Sequence, residues 1–132
     1  MKNHLQRGAG VLEFALCVPV FFIAMMGTIE FGRAMFAANE LNHLAREAVR
    51  YAAVRSAKSD TPAGADDVTS YIRSRSIGLV PSDIKVTSAW APTSAPGGTV
   101  EVTLTYEFAP IFAFLPDTLR HLRGYAQSTI LN

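Results

Sequence analysis

The sequence predicts an α+β protein: one long N-terminal helix, then a short helix and a small antiparallel sheet of about three strands. Three observations carry this. Residues 14–29 form a run without a charge, long enough to dominate the N-terminal quarter of the 132-residue chain. Helical spacing of apolar and small residues then continues to about Arg55. Near the C-terminus, "TVEVTLTYEF" alternates strictly, with Val100, Val102, Leu104, Tyr106 and Phe108 on one face and Glu101, Thr103, Thr105 and Glu107 on the other.

The helix comes first. A charge-free run of this size spans about 24 Å at ~1.5 Å per residue. That is short of a bilayer core of about 30 Å. Adding Ala9 to Leu12 brings it to spanning length, with Glu13 as the one charge inside. An acid at mid-bilayer costs about 2.5–3.5 kcal/mol on insertion scales, and less near an end. Glu13 therefore wants a partner. A secretory signal peptide would explain Lys2 and Arg7 before the run, but "GTIEFGRAMFAANE" after it offers no clear A-x-A cleavage site. Beyond the run, Glu30 and Arg33 are three apart and can form an interfacial pair on one helix face. Ala34, Ala38, Leu41, Ala45, Ala48 and Ala52 follow at 4-3-4-3-4 spacing, a narrow packing seam for the chain's own sheet or for another helix. One helix over about 9–55 results, bent or kinked near Pro19.

"SAKSDTPAGADD" is a turn-rich loop. "ADDVTSYIRSRSIGL" reads as a short helix with first-turn acids Asp66 and Asp67 and a stop at Gly78. "DIKVTSAW" alternates Ile84, Val86, Ser88 and Trp90 against polar neighbours, a first strand. "APTSAPGG" joins it to the second. "APIFAFLPDTLRHL" reads as an apolar crossover, too short and broken for a second membrane span. "RGYAQSTIL" reads as a third strand.

Several function classes find no support. A formal net charge of +1 gives no basis for a nucleic-acid partner. The single cysteine, Cys17, allows no intramolecular disulfide and sits in the apolar run as a small hydrophobe. His4, His43 and His121 lack metal-ligand spacing with Cys17 or the acids. There is no P-loop, G-x-G-x-x-G or G-x-S-x-G. No catalytic role, metal or cofactor is expected.

One ordering remains. A basic leader is followed by Gly8, then Ala9-Gly10-Val11-Leu12, then Glu13 and Phe14. This resembles the processing site of type IV prepilins. Joined to "EFGR" (Glu30 to Arg33) and "AREAVRYA" (Ala45 to Ala52), the segment from Arg7 to Val54 is similar to the TadE-like proteins of the Tad (tight adherence, Flp-type) pilus. Ala48 departs from that pattern, where many relatives carry Gly; Ala is the better helix former. The resemblance implies a minor pilin or pseudopilin with a structural role in pilus assembly and surface adhesion. A prepilin peptidase would cut between Gly8 and Ala9, making Glu13 the fifth residue of the mature chain. The implied organisation is a leader at 1–8, a transmembrane helix at 9–30, its amphipathic continuation at 31–55 and an extracytoplasmic α+β head at 56–132. The implied partners are the peptidase, other Tad/Flp pilins, inner-membrane assembly proteins and the lipid bilayer. The implied location is the inner membrane, with the pilus as a second possibility. The alternative is an uncleaved single-pass anchor presenting a small periplasmic binding domain. Bottom-up, cleavage would place a new amine on Ala9 one helical turn from Glu13, or Glu13 could meet the amine of a neighbouring subunit. Either pairing offsets much of the cost of an acid in lipid.

Overall fold

The computed structural model describes residues 3–112 and 120–131, with side chains from residue 8 onward. The described chain is α+β. Its elements are α1 (Asn3–Val54), α2 (Ala65–Arg75), a 3-10 turn (Pro81–Asp83), and strands β1 (Ile84–Ala91), β2 (Thr99–Glu107) and β3 (His121–Thr129). By internal contacts it divides into two compact units, Met1–Arg33 and Ala34–Asn132.

The first unit is helix alone. α1 starts at Asn3, upstream of the expected start at Ala9, and is continuous through Pro19. The leader residues carry no proline or turn cluster before Gly8, so nothing local ends the helix there. Most side chains along this stretch are exposed, including Val11, Leu12, Phe14, Leu16, Val20, Phe21 and Ile23. A helix that exposes this much apolar surface fits a membrane anchor.

The second unit holds the core. β1, β2 and β3 form an antiparallel sheet in chain order, with Val86 opposite Leu104 and Val102 opposite Ala126. Alternation decides the inner face. Val100, Val102, Leu104 and Tyr106 of β2 are buried, while the residues between them are half-buried. Against this face lies the second half of α1, which buries Ala34, Ala37, Leu41, Leu44, Ala45, Ala48, Val49 and Ala52. α2 adds Val68 and Ile72. The buried stripe is wider than the expected seam. Ala38 is only half-buried, while Ala37, Leu44 and Val49 go inside. A sheet presents a broad surface, and a helix packed on it buries a stripe of ≳ 100°, wider than the narrow line that meets one other helix.

Two close approaches fix the packing. Gly124 lies on the inner face of β3, opposite Leu104. A Cβ there would stand 2.5 Å from the Leu41 carbonyl oxygen and 2.7 Å from its carbon. The α1 backbone therefore rests directly on β3, which only a residue without a side chain permits. Gly78, after α2, has a φ of +70° and faces the Phe36 ring at 2.9 Å from its would-be Cβ. It marks the left-handed turn that follows the short helix, whose last helical residue is Arg75. At the other end of α2, the Asp67 carboxylate accepts a 2.9 Å hydrogen bond from the Gly64 N–H. Asp66 and Asp67 both sit in the first turn, where the helix dipole favours acids.

The segment expected to be a crossover connects β2 to its immediate antiparallel neighbour β3, so no crossing is needed. Its residues 113–119 lie outside those described. β3 begins at His121 rather than Arg123, because pairing with Glu107 and Tyr106 of β2 extends it by two residues.

Candidate functional site: the exposed helix and its charged residues

α1 contains a stretch long and apolar enough to cross a membrane, none of it buried within the protein. Gly8, Ala9, Glu13 and Phe14 lie on this helix, all exposed. Helical geometry stacks Ala9 and Glu13 one turn apart on the same side. Nothing stands within 4 Å of where a Cβ would be on Gly8 or Gly10. Each of these glycines costs a helix interior about 0.8–1.0 kcal/mol relative to Ala. The peptide after Gly8 is helical.

Glu30 and Arg33 meet as the spacing predicted. One guanidinium nitrogen of Arg33 donates to both carboxylate oxygens of Glu30, at 3.2 and 3.1 Å. The burial is unequal: the Glu30 side chain is fully buried, and that of Arg33 is 42% exposed. Nothing in the sequence pattern signals a carboxylate wholly removed from solvent. A buried acid is tolerated only when its charge is met, and Arg33 supplies a counter-charge here.

Two other features escaped sequence reasoning. Tyr51 of α1 stacks on Tyr71 of α2 with ring centroids 4.2 Å apart. Arg55 lies over the Tyr51 ring at 4.6 Å and Arg75 over the Tyr71 ring at 5.0 Å. The layered stack fastens α2 to α1 on the exposed side. The second feature is an open groove between α1 and β3, with Arg46 and Arg50 on its helical wall. Both were invisible because they join residues far apart in sequence.

Among the described residues, no group of three or more histidines, cysteines or acids stands together in a metal-binding arrangement. Cys17 is exposed on α1.

Fold and site together define an α+β protein with an N-terminal helix that fits a membrane anchor and a small unit of one sheet covered by helices. Residues 8–50 match the family model of TadE-like proteins, the family its motifs suggested. The match suggests a Tad pilus-associated protein. No curated protein and no solved structure matches the chain.

Proposed function

We propose that this protein is a minor pilin or pseudopilin of a Tad pilus. In this reading it is made as a prepilin, inserted in the inner membrane by α1, and cut between Gly8 and Ala9 by a prepilin peptidase. Its head stands outside the cytoplasm. Its role is structural rather than enzymatic: it helps prime, cap or stabilise the assembling pilus, and through it surface adhesion. It binds no nucleic acid.

The observation that carries this reading is the TadE-like match, which covers residues 8–50 and so includes Gly8, Glu13, Phe14, Glu30 and Arg33. The chemistry of the site agrees. Gly8 and Gly10 loosen the helix where a peptidase needs extended backbone. Cleavage then supplies an amine near the one acid of the apolar stretch. Neutralising that acid in a low-dielectric setting is what makes Glu13 affordable in a spanning helix.

Topology is testable by itself. Lys2 and Arg7 precede the span, and Arg33, Arg46 and Arg50 follow it, so the positive-inside rule gives no clear direction. Alkaline phosphatase fused after Asn132 is expected to be active, since it folds only outside the cytoplasm. An inactive fusion at normal expression would contradict the orientation.

A further inference from the structure

We propose that the groove between α1 and β3 docks an extended segment of another protein, one that adds as a strand to the free edge of β3 and presents acidic side chains to Arg46 and Arg50. The inference concerns the compact unit Ala34–Asn132 and stands whether or not the leader is cleaved.

The groove follows from the packing. α1 touches the backbone of β3 at Gly124. Farther along, helix and strand part, leaving an open space of about 470 Å³ beside Ala126 to Thr129. That volume lies within the range of about 300–1,000 Å³ typical of binding sites. Its floor is apolar, with Val49 and Ala126 nearly buried. Two large apolar side chains stand at its mouth with no cover, Val54 at 68% and Leu131 at 86% exposure.

The edge is unguarded. Among the described residues β3 pairs with β2 alone, so its other side presents unpaired N–H and C=O groups. Proteins usually blunt such edges with charge, proline or a covering element. β1 at the opposite edge carries Lys85, is followed by Pro92 and has α2 beside it. β3 carries Arg123 near its start, but beside the groove, from Gly124 to Leu131, there is neither a charge nor a proline.

Charge selects the occupant. Arg46 and Arg50 are exposed, and neither takes part in the ion pairs Glu30–Arg33 and Lys85–Glu107. Residues four apart on a helix rise ~6 Å. Same-face residues two apart on a strand are separated by about 6.6 Å. An acid-x-acid pair on an added strand therefore matches the two arginines, and apolar residues farther along the same face reach the floor. This chain has no two acids separated by one residue anywhere in its sequence, so a second copy cannot supply the pair. The partner is a different protein. Main-chain bonds would give affinity and the alternating side chains specificity.

The test uses the full chain in nanodiscs of zwitterionic lipid. Two capped, fluorescein-labelled heptapeptides, VTVTETE and VTVTKTK, are titrated by anisotropy. The acidic peptide is expected to bind at least about tenfold more tightly, an advantage that shrinks in high salt. The double variant Arg46→Glu/Arg50→Glu, at two exposed positions and checked for folding by Trp90 fluorescence, should reverse the preference. Bound acidic peptide should also slow hydrogen exchange at the Tyr125–Thr129 amides. Equal affinities, an unchanged preference in the variant, or no acidic-peptide binding up to about 1 mM would overturn the proposal. So would a concentration-dependent dimer of the wild-type chain that the double variant abolishes, since the groove would then belong to a second copy.

Discussion

Gly124→Val is expected to be the most damaging single substitution in the head. By local preference it should help: β-branched residues favour strands, and a strand glycine is weakening, an effect of up to about 1 kcal/mol. The close approach outweighs this. Even the first added carbon would lie 2.5 Å from the Leu41 carbonyl oxygen, which is main chain and cannot rotate away. Either α1 lifts off β3 or the strand shifts, and both open the core around Leu41, Ala45 and Val102. Overpacking of this kind costs about 1–3 kcal/mol where side chains can yield, and more where they cannot. A loss of roughly 3 kcal/mol would lower the midpoint of a domain of this size by about 12–24 °C. Thermal unfolding followed by Trp90, which packs against the core, reads this directly. Gly124→Ala should show most of the effect, since the clash arises at Cβ. Gly32→Ala, where nothing lies within 4 Å, should be neutral or mildly stabilising. If Gly124→Val kept the wild-type midpoint, the contact between α1 and β3 would be disproved.

The second large effect is on assembly. Glu13→Val removes the one acid from the apolar stretch of α1, at an exposed position. Insertion should be unimpaired or slightly improved, because the cost of an acid near the bilayer edge disappears. Processing should be spared, since Gly8 is untouched. What is lost is a charge-assisted pair with an N-terminal amine, stronger in a low dielectric than in water. Such a pair can also set register between neighbouring helices, as a single polar residue does in coiled coils. The variant is therefore expected to be processed, membrane-bound and folded, yet to co-purify poorly with the other pilus proteins and to yield few surface pili. Glu13→Gln should fall between, keeping a hydrogen bond without the charge. Normal assembly by Glu13→Val would show that the acid is not an assembly contact.

The parts of the fold that were legible in the sequence are those governed by local period. β2 announces itself because every second residue from Val100 to Phe108 is apolar, and that face is the one buried. α2 is readable from Asp66, Asp67 and Gly78, whose cap, dipole and turn roles act over a few residues. Contacts between distant segments were not legible. Ala37 and Ala38 are the same residue type, and only the breadth of the sheet puts the first inside and leaves the second half-covered. Gly124 reads as a weak point in a strand until Leu41 is seen against it. The burial of Glu30 and the exposure of Arg46 and Arg50 likewise depend on which neighbours the fold brings near. The roles proposed for Gly8, Glu13 and Phe14 rest on a linear motif, which is why the sequence alone could suggest them.

The central claim is that α1 is a pilin helix with a removable leader. The most direct test is the intact mass of the protein extracted from membranes of cells with an active prepilin peptidase. Removal of the eight residues from Met1 to Gly8 leaves 124 of the 132, beginning at Ala9. Gly8→Leu should restore the precursor mass without affecting membrane insertion, because it changes the cleft-binding residue and adds only apolar surface. A wild-type mass that begins at Met1 or Lys2 would contradict the account and favour an uncleaved anchor.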